Sequence, residues 1–294
     1  MATNLASNKT VKWSSWHTLL LLIIIVGTPL LVRWMLAPNP FLFDGESALA
    51  PGGELLWVWW TWVLGLLLFA TVAGGGITGC WPFGWLINEQ YRMSLSRLQM
   101  CLWTIVVLAS FATAVSINLV NRHLQDALHV AIPADLWLLL GISTTALVAS
   151  PLILADKKKQ NTNIPERQRT LASMDMRYAD AQAVPEQEAK ARSSGQLARN
   201  TSPAEASFAD LLRGEQVGNC NVVDVARLQN LFFTLILVVV YTLALLESFE
   251  LQMIDGGVIS AFPDVDAAFA ALLGVSTTGY LAAKGVNYQP LQNP

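Results

Sequence analysis

Six stretches of this chain constrain everything else it can do: residues 18–36, 55–77, 98–120, 136–154, 228–246 and 265–283. Each is predominantly apolar and about as long as a helix must be to cross the hydrocarbon core of a bilayer, roughly 20 residues. The middle four hold no Asp, Glu, Lys or Arg. The first holds only Arg33, near one end, where a long side chain reaches the headgroup layer. The last is the weakest, because it is rich in Ala, carries Ser276, Thr277 and Thr278, and holds Asp266. In lipid the backbone must satisfy its own polar groups, which makes such stretches helices. The expected fold class is therefore all-α, a polytopic membrane protein with six transmembrane helices. Composition agrees: 53% of the 294 residues are hydrophobic and 13% charged, against about a quarter charged in ordinary soluble domains. That balance excludes a disordered chain and argues against a single soluble globule.

The first stretch follows Lys9 and Lys12, as in a signal peptide, but runs on to Val32 with no small-residue cleavage site after it, so it reads as a retained span. Lys and Arg near span ends set orientation. With the N-terminus in the cytoplasm, one side holds 16 basic and 11 acidic residues and the other 2 basic and 10 acidic. Arg33 and Arg122 are the two basic residues left outside. The formal net charge of −3 thus hides a polarised molecule, and its acidic outer face would attract cations. The expected location is a bacterial inner membrane with both termini cytoplasmic. Trp57, Trp59, Trp60 and Trp62 crowd one end of the second stretch, and Trp81, Phe83, Trp85 and Tyr91 follow its other end. Both groups suit interface anchoring.

The chain also resembles itself. Ser96-Arg97-Leu98-Gln99 opens the third stretch and Ala226-Arg227-Leu228-Gln229 the fifth; Trp103-Thr104 answers Phe233-Thr234. Ile132-Pro133 precedes the fourth stretch and Phe262-Pro263 the sixth. Residues 139–145 match 272–278, and Phe83, Leu86, Ile87 and Glu89 correspond to Phe208, Leu211, Leu212 and Glu215. The offset stays between about 125 and 133 residues. Each copy reads as an interfacial helix followed by a two-span hairpin, and both hairpins start on the same side. The expected organisation is an N-terminal two-span unit over 1–79, one repeat over 80–155, a flexible cytoplasmic linker over 156–203 and a second repeat over 204–294. Parallel repeats of this kind speak less strongly for a transporter than inverted ones.

Ser96 and Gln99 have capping-box spacing, with Asp224 the substitute cap of the second copy. Gly141, Thr145 and Ala149 share one helix face, and Gly274, Thr278 and Ala282 repeat it. Small residues at that spacing let helices approach closely in lipid, and a polar stripe lining a pore or a ligand path is the sharper alternative. Ser110, Thr113 and Ser116 form a polar stripe at spacing three, read as helix packing with pore lining as the sharper alternative. Ser96, Arg97, Gln99, Arg227 and Gln229 are the candidate interface of the repeat motif. Residues 156–203 open on Lys157, Lys158 and Lys159 and are poor in large apolar side chains, which suits a flexible linker with a helical piece around 167–183. Residues 204–216 read as a short amphipathic helix lying on the membrane, with Phe208, Leu211 and Leu212 on one side.

Catalytic chemistry finds no foothold. The chain has no GxxxxGK[ST] loop, HExxH helix or GxSxG elbow, each of which places reacting groups at fixed spacing. His123, Asp126 and His129 make at most a weak metal set, and the three cysteines (80, 101 and 220) follow no zinc or CxxC pattern. Thr71-Val72-Ala73-Gly74-Gly75-Gly76 follows no strand, so close packing or a helix break explains it better than a phosphate cradle. No cofactor, metal or nucleic-acid partner is expected.

The motif Ser94-Leu95-Ser96-Arg97-Leu98-Gln99 with Trp103-Thr104, followed by Leu139-Leu140-Gly141-Ile142-Ser143, resembles a group of uncharacterised bacterial membrane proteins. Members of that group often carry two such two-helix modules. The resemblance covers about 80–285 and implies fold and membrane location, with no activity attached. The leading expectation is a non-enzymatic, homo-oligomeric, channel-like assembly in the lipid bilayer. A membrane scaffold or anchor subunit, with a protein partner held through 156–203, is the second, and a small-solute transporter the third.

Overall fold

The computed structural model of the chain describes residues 13–36, 51–121, 127–175 and 178–288. Helices α1 (Ser15–Met35) and α2 (Pro51–Thr78) form an N-terminal hairpin. Helices α3 (Leu95–Val120), α4 (Ala134–Lys159), α7 (Val225–Gly256) and α8 (Ala267–Gly285) form a bundle, with α2 against α3 and α7. Five helices, α1, α2, α3, α4 and α7, are long and apolar enough to cross a membrane. The sixth expected span forms α8, 19 residues long and outside that set. Its inner face carries Ser276, Thr277, Tyr280 and Lys284. The chain is thus a mostly helical, polytopic membrane protein.

The helices follow from their residues. Ser14 accepts the Trp16 N–H at 3.2 Å while His17 Nδ1 accepts the Ser14 N–H at 3.2 Å, a reciprocal cap for α1. Asp224 accepts from Ala226 and Arg227 at the start of α7, as expected of it. The first copy differs from expectation. Helix α3 starts one residue after Ser94, no side chain caps it, and Ser96 and Gln99 point into the bundle instead. The side-chain bonds those two make to α8 replace the cap they were expected to form. Glycines 74–76 do not break α2, which runs on to Thr78. A Cβ on Gly74 would collide with the Trp85 backbone, so the glycine permits the close approach of the next turn.

The bundle core holds Trp103, whose ring lies 6.0 Å from Tyr241 and 6.4 Å from Phe269. Leu136, Leu139, Leu245, Phe249 and Leu273 are fully buried around it. At the far end of the bundle Ala131 and Ala261 pair in parallel, with the Ala131 N–H on the Ser260 carbonyl (2.8 Å) and the Phe262 N–H on the Ala131 carbonyl (2.9 Å). Asn118 clamps Ile259 there by accepting its N–H at 2.8 Å and donating to its carbonyl at 2.9 Å.

The loops that precede α3 and α7 share a local plan. Each has a 3-10 turn, Gly84–Leu86 or Phe208–Leu211, then an antiparallel bridge, Ile87–Met93 or Arg213–Val223. Each closes by an N–H at the helix start returning to the turn, Ser94 to Leu86 (2.9 Å) and Asp224 to Leu212 (2.8 Å). The turns meet: the rings of Phe83 and Phe208 lie 4.7 Å apart, edge to face. The amphipathic helix expected over 204–216 is therefore two 3-10 turns. Ser207 and Asp210 form a capping box that starts a new turn there. Phe208 is exposed, whereas Leu211 is buried beneath it.

The segment expected as a flexible linker holds regular structure. Helix α5 (Ile164–Met174), helix α6 (Glu186–Ala191) and the hairpin of β1 (Ser193–Ser194) and β2 (Leu197–Ala198) form a cap over the loop end of the bundle. Leu171, Val184 and Ala189 make its small core, with Ile164 and Tyr178 at the edge. Backbone bonds then stitch it down: Gln196 N–H to Lys157 O (2.9 Å), Ala198 N–H to Glu215 O (2.8 Å) and Asn200 N–H to Gln90 O (3.0 Å). Gly195 takes a positive φ of 58° and lies against the Lys157 and Lys158 carbonyls, where a Cβ would not fit.

Candidate functional site

Five polar residues of the bundle, Gln99, Ser143, Asn230, Ser276 and Thr277, meet in one buried chain. Gln99 of α3 donates from Nε2 to Thr277 Oγ1 of α8 at 3.2 Å and to Ser143 Oγ of α4 at 3.4 Å. Its Oε1 accepts from Asn230 Nδ2 of α7 at 3.2 Å. Asn230 Oδ1 in turn accepts from Ser276 and Thr277, both at 3.3 Å. Gln99, Ser143 and Asn230 are wholly buried. One turn nearer the cap, Ser96 Oγ lies 3.1 Å from Tyr280 OH. Side-chain amides that bond across helices hold membrane bundles together, at about 0.6–2 kcal/mol each. Here each amide oxygen and nitrogen of Gln99 and Asn230 has a protein partner, which makes the chain a clasp between the four helices.

Next to it, where bundle meets cap, lies an ionic junction. Glu215 binds Arg227 at the start of α7 and Lys284 at the end of α8, the latter at 3.0 Å. Lys284 also donates to Ser150 of α4, and Lys157 of α4 donates to the Lys284 and Val286 carbonyls. Tyr280 lies beneath both cations, its ring centre 4.7 Å from Lys284 Nζ and 5.8 Å from the Arg227 guanidinium. Burial pushes the Glu215 carboxyl upward, but the charges of Arg227 and Lys284 outweigh it and hold the group at about 2. Beside it Arg92 pairs with Asp210 at 3.2 Å and donates to the Gly214 carbonyl at 2.7 Å. Asp210 also accepts the Met93 N–H at 3.3 Å. A cavity of about 80 Å³ opens here, lined by Ser96, Arg97, Ser150, Lys158, Glu89 and Glu215. The hydrogen bond and charge of Lys158 hold Glu89 below the usual carboxylate range.

The residues singled out from the sequence divide three ways. Ser96, Gln99 and Arg227 are buried in the clasp and junction, and Arg97 lines the small cavity while donating to the Ile87 carbonyl at 2.7 Å. Gln229 is not brought in; it lies exposed beside Val225, Phe232 and Ile236, and the next residue, Asn230, faces Gln99. The polar stripe of α3 turns towards α2: Trp59 Nε1 donates to Ser110 at 3.0 Å and Trp62 Nε1 to Ser116 at 3.3 Å. Thr113 donates to the Ala109 carbonyl at 2.7 Å. Within one chain that face thus meets the indoles of α2 at Ser110 and Ser116. The small-residue faces of α4 and α8 are turned largely outward within one chain. Gly141 and Thr145 are exposed and a Cβ on Gly141 would touch nothing; Thr278 and Ala282 are exposed as well. Ala149 is half-buried, and so is Gly274, which meets only Ile142 of α4.

Sequence reasoning missed Asn230, Asn118, Tyr280 and the pairing of Glu215 with Lys284. The two asparagines carried a usable signal, since an amide in a charge-free apolar stretch marks a helix contact. His123 and Asp126, of the weak metal set, lie outside the described residues. Among the described residues no group of three His, Cys, Asp or Glu is placed to hold a metal ion. Compared with protein-family models, curated proteins and solved structures, the chain has no significant match.

Proposed function

We propose that the chain is a non-enzymatic protein of a bacterial inner membrane that assembles with its own copies and serves as a scaffold. In this reading all six expected spans sit in the bilayer, α8 being carried by its neighbours, and 80–155 and 204–294 are two copies of one module. The shared loop plan, the Phe83–Phe208 contact and the Ala131–Ala261 pairing support the duplication. The resemblance to bacterial proteins with doubled two-helix modules belongs to the same proposal. The basic cap end faces the cytoplasm on the charge rule.

One observation carries the assembly reading: the outward-turned face of Gly141, Thr145, Thr278 and Ala282 on α4 and α8. Such faces let helices of separate chains pack backbone to backbone in lipid. The scaffold role ranks above the channel because the Ser110–Ser116 stripe is occupied by Trp59 and Trp62 and the bundle centre by Trp103, Tyr241 and Phe269. A conduction path between copies remains the second reading, favoured by the hydroxyls of Thr144, Thr145 and Thr278 on the outer surface. Light-scattering mass of the purified chain in nanodiscs tests assembly, and planar-bilayer recording separates the two roles. The expected result is a defined multimer without conductance. A monomer at every lipid ratio contradicts the proposal, and steady conductance replaces the scaffold with the channel.

A further inference from the structure

The cap holds a second cavity that the junction does not use. It measures about 510 Å³ and lies between α5, the turn after β2 and the 3-10 turn at Phe208–Leu211. Five arginines line it, and only two carboxylates, Glu205 and Asp210. Both carboxylates are taken, Asp210 by Arg92 at 3.2 Å and Glu205 by Arg192 at 3.0 Å. Arg167, Arg199 and Arg213 therefore face the cavity without an acidic partner among the described residues.

Arg167 makes the case specific. It is 4% exposed, and its Nη1 donates to Cys220 Sγ at 3.1 Å. Its Nε is buried with no hydrogen-bond partner, as is Nε of Arg199, whose guanidinium lies 5.0 Å above the Tyr91 ring. Burial and the nearby charges of Arg192 and Arg92 draw the Arg167 guanidinium below its ordinary range, offset in part by Cys220. A buried cation with spare donors, held among like charges, is costly unless an anion completes it. The planar guanidinium fork suits the oxygens of a phosphate.

We propose that this arginine-lined cavity is a binding site for a phosphate-bearing anion. Its size admits a ligand with two phosphate groups, and its position on the bundle's loop end would let a bound ligand brace α5 against the loops before α3 and α7.

The test uses the full-length protein in neutral phosphatidylcholine nanodiscs, with inorganic pyrophosphate as the soluble probe and nanodiscs containing phosphatidylglycerol as the lipid arm. Binding is read by calorimetry and by the unfolding midpoint, with chloride at equal ionic strength as control. Arg167→Gln and Arg199→Gln should each weaken the response about tenfold or more, the loss expected for one charge-assisted contact. Arg169→Gln, on the exposed side of α5, should leave it unchanged. Without ligand, Arg167→Gln should unfold no earlier than the parent, because it removes an unpaired buried charge; a purely structural arginine would show the opposite. Saturable binding of pyrophosphate identifies a soluble ligand class. A response confined to phosphatidylglycerol and lost in Arg167→Gln identifies a lipid headgroup. Absence of both, or a response that survives Arg167→Gln and Arg199→Gln, overturns the proposal.

Discussion

Asn118 shows how one side chain can fix a membrane bundle. It is wholly buried in a charge-free stretch of α3, and both ends of its amide are spent on Ile259. Asn118→Ala leaves a buried N–H and a buried carbonyl unpaired, at about 1–3 kcal/mol for each group. The expected outcome is a drop of about 2–6 kcal/mol in unfolding free energy in detergent, with the helical content of the folded state unchanged. Glu215 plays the same part at the other end. Its carboxyl is held near 2 in the folded protein, below its value in an unfolded chain. Its stabilising contribution is therefore complete above about pH 5 and drains away as pH falls towards 2, on the order of 3 kcal/mol in all. The midpoint of the parent should fall between pH 7 and pH 3, whereas Glu215→Gln should start about 3–5 kcal/mol less stable at pH 7 and lose less on acidification. Of these residues, the asparagine was visible in the sequence as a polar interruption. Its partner was not, because Ile259 contributes only backbone and no side-chain pattern marks it.

At the scale of elements, α2 and the turn after it make the sharpest case. Gly74 sits where the Trp85 backbone crosses the helix. Gly74→Ala must push the Gly84–Leu86 turn outward, and the turn is part of the cluster that joins Leu86, Met93, Leu95 and Tyr280. Overpacking of this kind costs about 1–3 kcal/mol, read as an earlier unfolding midpoint. Gly141→Ala, where nothing stands within reach, should leave the isolated chain as stable as the parent. Helix positions were legible because apolar length dictates them. Which face points inward was not: the spacing of Gly141, Thr145 and Ala149 is the same whether the partner is α8 or a second chain. The Ser96–Gln99 spacing likewise suited a cap, and lost to the cross-helix partners Tyr280 and Thr277 that only the tertiary fold supplies.

For the whole molecule, the division into apolar helices and a basic, loop-bearing end could be read directly from the chain. The cap could not. Its core is only Leu171, Val184 and Ala189, and backbone bonds tie it to Lys157 of α4, to Gln90 in the loop before α3 and to Glu215 in the loop before α7, none of which a side-chain pattern marks. Its arginines looked like the solvated charges of a linker for the same reason. In the proposed assembly, copies of this membrane protein meet at the outer faces of α4 and α8. Disulfide cross-linking in native membranes decides it, using Thr145→Cys and Thr278→Cys in a background with Cys80 and Cys101 replaced by Ser. Covalent dimers are expected from both variants under mild oxidation, and none from Leu243→Cys on the exposed side of α7. Monomers alone from Thr145→Cys and Thr278→Cys, or equal cross-linking at Leu243→Cys, would contradict it.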